Sequence, residues 1–457
     1  MERFDVFVIG GGGTGSEVAF SLAGKSDLRV GIAERDKLGG ECNHYGCVPT
    51  KTMLASAKVA ASARTAERYG VHIPSVEVDF PAVMRRAREI IDSQSGEGAK
   101  PFEDQGIAVF LEEARLTGPH GIELADGTQI EAERIVLTTG SEATVPPIDG
   151  LGGGPYWTNK EAIWAPTAVP RSLAVIGSGP IGLEFAQIYS RFGAAVTVVE
   201  LADRILPGED TDSSEAICDA LEAEGIGLLA DTTSCHAGRD REGWHIEFED
   251  GHHVHAEQVL VAVGRRPVFD VHDLDAAGVV LDDRGYPVLD DTLRTTAEGI
   301  WAAGDATGEL LFTHVGTYEA ELVTLDILGR PRKRDYRVVP RVTFTEPEAA
   351  SVGLTEQQAR DLGTEVVTSL VRFSDNERAQ IEGRTHGIVK LVADARTGDL
   401  LGGHFVGEGA GEMVHEVVAA MAGRVPPRTV AAAIHAYPTL SESLKSAFTE
   451  LAESLET

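Results

Sequence analysis

Short, mostly apolar runs that end in glycine recur along this chain, and a segment with helical spacing follows most of them. Residues 4–9 (FDVFVI) have the length and composition of a strand buried on both faces, and SEVAFSLAG further on has the period of a helix. A second run, 28–33, ends at Glu34. The same succession returns at 173–176, continues through the helical pattern LEFAQIYSRFG and closes with AAVTVVE at Glu200. Three more runs end in the same manner: IVLTTGS (135–141), QVLVAVGRRP (258–267) and GIWAAGDAT (299–307). Each predicts a buried strand whose carboxyl end approaches a ligand. The last part of the chain changes character, alternating strands such as RVTFTE and GIVKLVAD with helices such as GEMVHEVVAAMAG. An α/β fold followed by an α+β domain is expected.

Between strand and helix the glycines keep a fixed spacing. Gly10, Gly12 and Gly15 satisfy G-x-G-x-x-G, and Gly177, Gly179 and Gly182 satisfy it again. The first glycine of this motif permits a tight turn, the second lets a pyrophosphate approach the backbone, and the third allows close helix–strand packing. Glu34 follows Gly10 by 24 residues and Glu200 follows Gly177 by 23, where a carboxylate can accept from a ribose hydroxyl. Two Rossmann-like dinucleotide-binding folds are therefore predicted. Glu200 favours NADH, because it would repel the 2′-phosphate of NADPH, while the nearby Arg204 leaves NADPH possible.

Composition narrows the range of partners. The 457 residues leave room for about three domains. A net charge of −32 argues against nucleic acid or an anionic membrane as a partner, since both would repel it. No stretch approaches the roughly 20 apolar residues of a membrane helix. MERFDVFVIG runs straight into a strand without a cleavable signal, so a cytoplasmic location is expected. Nine lysines against 31 arginines fit either a high-GC genome or adaptation to salt.

Four cysteines in a chain of this length do not make a disulfide framework. Cys218 and Cys235 lie in ordinary surroundings and read as bystanders. Cys42 and Cys47 sit in GGECNHYGCVPTK (39–51), where the glycines allow close backbone approach and a distorted helical turn could bring both onto one face. Zinc is the competing reading, but no second cysteine pair completes four ligands, and His44 is expected at the surface. No metal site is predicted. A close pair just after a dinucleotide fold reads as catalytic redox chemistry.

The segments GGGGTG, GGECNHYGCVPTK, LTTGS, GSGPIGLEFA, VAVGRRP, AAGDAT, RVTFTEPEAASVGLTE and HAYPTLSE occur in one order across nearly the whole chain. In this the chain resembles the class I pyridine nucleotide–disulfide oxidoreductases, the family of dihydrolipoamide dehydrogenase, glutathione reductase and mercuric reductase. The resemblance implies FAD on the first fold, NAD(P)H on the second and a C-terminal domain that forms a homodimer. It divides the chain into an FAD domain at 1–149 and 270–338, an NAD(P)H domain at 150–269 and a dimerisation domain at 339–457, with RPRKRDYRV (330–338) as a charged linker. Gly10, Gly12, Gly15, Glu34, Gly140 and Asp305 would contact FAD, and Thr313 would pass its pyrimidine side, with His314 as a packing residue. Lys51 would pair with Glu184 near the flavin nitrogen that receives hydride. Gly177, Gly179, Gly182, Glu200 and Gly264 would contact the nicotinamide dinucleotide. Cys47 would face the flavin and Cys42 the substrate.

One position departs from most relatives that handle thiols. Where they carry a histidine before the proline of the C-terminal motif, this chain has Tyr437, while the partnering glutamate is kept as Glu442. Histidine, with an ordinary pKa near 6.5, suits proton exchange with thiols; tyrosine, near 10, is a poor base but can donate a hydrogen bond. His435, two residues earlier, lies about 6–7 Å away along an extended segment and is not expected to take over. Tyrosine at this position resembles mercuric reductases and soluble transhydrogenases of the family. The chain ends FTELAESLET without the C-terminal cysteine pair of typical mercuric reductases, and Cys47 is present where transhydrogenases usually lack it. The expected activity is electron transfer from NAD(P)H through FAD to Cys42–Cys47 and on to a small-molecule disulfide. A metal ion such as mercury, or a quinone, is the alternative acceptor. A non-catalytic FAD-binding redox sensor is the reading from a different class.

Overall fold

Strand Glu2–Ile9 takes the middle of a sheet because both its faces are apolar: Val6, Phe7 and Val8 are fully buried. In this computed structural model, which describes residues 1–95 and 98–456, the chain divides into two compact units. The first contains Met1–Thr50, Met84–Thr144 and Arg265–Asp335. Its parallel strands run in the order Ala108–Phe110, Val30–Ala33, Glu2–Ile9, Gln129–Leu137 and Ile300–Ala302, and an antiparallel pair, Gly121–Leu124 and Ala114–Leu116, also leads off Gln129–Leu137. Parallel pairing brings the carboxyl ends of these strands together, and with them Gly10, Glu34, Gly140 and Asp305. Helices Gly13–Lys25 and Thr313–Ile327 pack closely, since a β-carbon on Gly316 would stand 2.2 Å from the Thr14 hydroxyl.

The second unit contains Lys51–Val83, Val145–Gly264 and Tyr336–Thr457. Its parallel sheet has the order Gly227–Leu229, Ala195–Val199, Ser172–Ile176 and Gln258–Val261. A three-stranded antiparallel sheet, Ser234–Arg239, Trp244–Phe248 and His253–Ala256, buries Trp244, Ile246 and Phe248 in the same core as Ile176 and Val259. Beyond it lies a five-stranded antiparallel sheet in the order Pro340–Thr343, Glu348–Gly353, Leu400–Gly407, Ile388–Asp394 and Val366–Arg372. Helices Ala410–Ala422 and Ser441–Leu455 cover it through Val414, Val417, Leu444, Phe448 and Leu451. The charged stretch at 330–338 has no regular structure, and its first half is tied to the first unit: Lys333 pairs with Asp291 at 2.9 Å. Among the described residues no helix is long and apolar enough to cross a membrane.

Candidate active site

The two glycine loops are built by the same contacts. Gly10 has φ +107°, and a β-carbon on Gly15 would stand 1.9 Å from the Gly10 carbonyl oxygen. Gly177 has φ +102°, and a β-carbon on Gly182 would stand 2.0 Å from the Gly177 carbonyl oxygen. Only glycine allows helix and strand to approach this closely. Glu34 accepts from the Gly11 amide at 2.7 Å, and Glu200 accepts from the Ser178 amide at 2.8 Å and from its hydroxyl at 2.6 Å. The middle glycines are different. A β-carbon on Gly12 would meet nothing nearer than 4.0 Å, and one on Gly179 nothing within 4 Å. The same openness surrounds Gly140 and Gly264 at their strand ends. A side chain at these positions would fill the space in front of each loop, so the residues fit a dinucleotide lying against each backbone.

Asp305 is drawn into a network that the sequence did not reveal. It accepts from the Ser141 hydroxyl, and Arg265 donates to that hydroxyl and to the Ser141 carbonyl, both at 2.7 Å. Arg265 also lies 3.3 Å from Glu41 and 3.7 Å from Asp305. The antiparallel pairing of Ser141–Ala143 with Arg265–Pro267 makes this possible. Pairing across 124 residues of sequence leaves no local signal; only the arginines of VAVGRRP hinted at it.

Cys42 and Cys47 do not share one helical turn. Cys42 lies on the short helix Gly40–His44, the chain turns at Tyr45 and Gly46, and Cys47 opens the 18-residue helix Cys47–Arg64. The break brings the thiols together: both are free, and a hydrogen bond joins them. That bond, burial and the charge of Cys47 all push the Cys42 thiol far above its ordinary pKa, so Cys42 keeps its proton. Cys47, at a helix N-terminus, stands where partial positive charge favours a thiolate. The Thr313 hydroxyl is 3.9 Å from the Cys47 sulfur, and the neighbouring His314 ring stacks on Phe312 with centres 5.4 Å apart. Cys218, by contrast, is pushed up to about 11 by burial and by the acidic residues near it, an inert thiol.

His44 is not at the surface as expected. It is buried, and its Nε2 donates to the Leu38 carbonyl at 3.0 Å, satisfying a polar group that burial would otherwise strand. Among the described residues no group of three or more His, Cys, Asp and Glu is arranged to hold a metal ion.

Lys51 lies one turn along the helix that Cys47 begins. Its Nζ donates to both oxygens of the buried Glu184 at 2.7 and 2.9 Å and sits over the Phe344 ring at 4.6 Å. The Phe344 amide also donates to Glu184, at 3.0 Å. The helix carrying Glu184, Pro180–Phe192, is anchored at its far end by Arg191, which binds Glu224 and Glu346, each at 2.6 Å. Burial alone would raise the Glu346 pKa, but Arg191 and Arg384 hold it below the usual carboxylate range. Arg191→Met is expected to cost about 1–3 kcal/mol at neutral pH by taking from the half-buried Glu346 one of the two guanidiniums that pair with it. A depressed folded-state pKa gives stability that is present above the unfolded value and lost as pH falls through the folded one. The gap between the variant and the wild type should therefore narrow on acidification below about pH 4 in denaturant titrations.

Tyr437 is 68% exposed. Its hydroxyl is hydrogen-bonded to Glu377, which raises its pKa, rather than to Glu442, which accepts from the Thr439 amide at 3.4 Å. His435 is paired with Glu416 at 3.1 Å.

Two family models match the chain. That of the pyridine nucleotide–disulphide oxidoreductases covers residues 4–320, and that of their dimerisation domain covers 339–448. The chain belongs to the pyridine nucleotide–disulphide oxidoreductase family. It is 35% identical to a mercuric reductase of Bacillus cereus, covering 97% of this chain and 71% of the relative. It is also 35% identical to a dihydrolipoyl dehydrogenase of Chlorobaculum tepidum, covering 99% and 98%. The HOCl-induced flavoprotein disulfide reductase RclA of Escherichia coli superposes with a TM-score of 0.87 at 28% identity, over 97% of this chain and 99% of that one. As a member of this family the chain is an NAD(P)H-dependent flavin oxidoreductase with FAD as its cofactor.

Proposed function

We propose that the oxidoreductase passes electrons from NADH to the Cys42–Cys47 disulfide and then to a small-molecule disulfide. The observation that carries this reading is the joined thiol pair, with the proton held on Cys42 and Cys47 at a helix N-terminus. FAD supplies the two-electron relay between nicotinamide and cysteines. In the net reaction NADH and one proton reduce one disulfide to two thiols. Cys42, the interchange thiol, gives its proton to the adjoining Cys47 thiolate, attacks the acceptor disulfide as a thiolate and expels one thiolate, which takes that proton back from Cys47. Cys47 then attacks the mixed disulfide, expels the second and closes the Cys42–Cys47 bond. The ion pair of Lys51 with Glu184 is read as the fixed charge that tunes the flavin. Gly10, Gly12, Gly15, Glu34, Gly140, Asp305 and Thr313 are read as the FAD cradle, and Gly177, Gly179, Gly182, Glu200 and Gly264 as the nicotinamide cradle. We divide the chain into an FAD domain (1–149 and 270–338), an NADH domain (150–269) and a homodimerising domain (339–457). NADH preference is supported by Glu200 and by the engagement of Arg204, whose guanidinium donates to the Pro207 carbonyl at 2.8 Å.

Tyr437 is read as the group standing in place of the usual histidine, acting with Glu442 near the partner subunit's thiols and donating a hydrogen bond to a thiolate. Its raised pKa keeps the hydroxyl protonated at neutral pH, a donor with no base form available, which favours reduction of a disulfide over oxidation of a dithiol. Tyr437→His is expected to raise dihydrolipoamide oxidation about tenfold or more, as general-base catalysis is restored. No gain would mean that Tyr437 does not restrict that direction. The function itself is tested by steady-state NADH and NADPH oxidation against lipoamide, glutathione disulfide, other small disulfides, quinones and Hg(II). A disulfide should give the highest kcat/KM, with NADH as donor. Preference for Hg(II) would establish the second reading, metal-ion reduction, which is supported by the pair of soft sulfur ligands and by the mercuric reductase relative.

A further inference from the structure

The five-stranded sheet of the second unit has one face that hydrophobic patterning does not explain. The face under helices Ala410–Ala422 and Ser441–Leu455 is apolar, with Ala350, Val352, Leu391 and Phe405 in its core. On the other face, register sets Arg341 opposite Ser351, Ser351 opposite His404, and His404 opposite Lys390. Cross-strand partners share a face, so these residues form a polar row across four strands. Ser351, His404 and Lys390 are buried. An apolar row would pack there without desolvating a charge, so burial alone does not account for it.

Glu209 and Asp210, just before helix Thr211–Ala223, cover the row. Glu209 accepts from Arg341 Nε and from the Ser351 hydroxyl, both at 2.6 Å. Asp210 accepts from Lys390 at 2.9 Å and from the Glu356 amide at 3.1 Å. Lys390 also pairs with Asp212 at 2.6 Å and with Glu356 at 2.8 Å. The turn held in this way is strained. Leu206 is buried with φ +53°, a conformation that a bulky residue keeps only where its surroundings impose it. The Glu209 amide donates to the Leu206 carbonyl at 3.0 Å, and the Leu206 amide donates to the Ser178 hydroxyl at 3.1 Å. That hydroxyl in turn donates to Glu200 at 2.6 Å. A continuous chain of hydrogen bonds thus runs from the sheet, through Glu209, Leu206 and Ser178, to the carboxylate beside the second glycine loop.

We propose that Glu209 is a positioning residue for the coenzyme: anchored to Arg341 and Ser351, it fixes the Leu206 turn, and through it Ser178 and Glu200 in the loop that takes NADH. Asp210 and Lys390 give the same turn a second anchor. The inference rests on the assignment of that loop to NADH. Without the anchor, Leu206 can leave its left-handed conformation and withdraw its amide from Ser178. The loop must then be ordered as NADH binds, which weakens binding. Turnover at saturating NADH is expected to change little.

The test uses the FAD-loaded enzyme and two readouts, the KM for NADH and the Kd of NAD⁺ from isothermal calorimetry. With dithiobis(nitrobenzoate) as the acceptor disulfide, Arg341→Met should raise both constants about tenfold and Ser351→Ala about threefold. In each variant kcat and the KM for the disulfide should stay within about twofold of wild type. Arg341→Lys, which keeps a charged donor for Glu209, should recover most of the lost affinity. Glu348→Gln, on the same sheet but bonded to the Gly411 amide, should leave both constants unchanged. Flavin content and circular dichroism report folding, and Ser351→Ala, the milder change, carries the test where Arg341→Met fails to fold. Unchanged constants in the anchor variants, or a matching fall in kcat, would overturn the proposal. Gly179→Val, whose side chain fills the open space before the loop, separates the two levels of the argument. If it raises the NAD⁺ Kd while the anchor variants do not, the anchor alone fails. If it leaves that Kd unchanged, the loop assignment fails and this inference with it.

Discussion

Cys42→Ser is expected to reduce NADH-driven disulfide reduction by about a thousandfold or more while leaving reduction of the bound flavin by NADH nearly intact. The structure separates the two thiols by environment. Cys42 retains its proton through its bond to Cys47, through burial and through the charge beside it. The negative charge of the reduced pair then rests on Cys47, at the start of an 18-residue helix whose N-terminal amides favour an anion. With Cys42 replaced, Cys47 can no longer be locked in a disulfide. Its thiolate should give a long-wavelength absorbance band beside the oxidised flavin at neutral pH. Cys47→Ser should lack the band and be equally inactive toward disulfides. Stopped-flow and static spectra of the two variants measure this directly. A band in Cys47→Ser and none in Cys42→Ser would exchange the roles of the two residues.

The second large effect belongs to the glycines that close each loop. Gly15→Ala would place a β-carbon 1.9 Å from the Gly10 carbonyl oxygen, and Gly182→Ala would place one 2.0 Å from that of Gly177. Neither neighbour is a flexible side chain, so helix and strand must separate, at a cost of about 3 kcal/mol or more. The consequences should differ because the proposed function assigns the two loops to different ligands. Gly15→Ala is expected to yield enzyme with most of its FAD missing, read from the ratio of flavin to protein absorbance. Gly182→Ala should keep its yellow colour yet be reduced by NADH at least about a hundredfold more slowly, since pyrophosphate and nicotinamide no longer sit correctly. Loss of FAD in both variants would show that the second loop supports folding of the whole chain rather than coenzyme binding alone.

Much of this could be read from residue order, because the relevant physics is local. A strand, a glycine turn and a helix within 30 residues announce themselves, and so do acids placed at the end of the next strand. The joined cysteines were legible as a pair, but not the helix break at Tyr45–Gly46 that brings them together. What escaped was set by long-range pairing. The Arg265–Ser141–Asp305 network depends on two short strands meeting across 124 residues, and the choice of Glu377 as the Tyr437 partner depends on tertiary packing. His44 reads as solvent-facing because it is polar and sits in a glycine-rich segment; its burial beside the Leu38 carbonyl becomes visible only in the folded chain.

The bracing of the glycine loops by Glu34 and Glu200 bears on how this enzyme could change coenzyme over evolutionary time. Glu200 is engaged through both oxygens, by Ser178 on one side and by the Ala202 amide at 2.8 Å on the other. The residue that would select against a 2′-phosphate is thus also a structural tie of the loop to which we assign the pyrophosphate. A lineage drifting toward NADPH cannot simply exchange that acid for a basic or neutral residue. It must first find another acceptor for the Ser178 amide and hydroxyl, so the route to a new coenzyme passes through at least two coordinated changes.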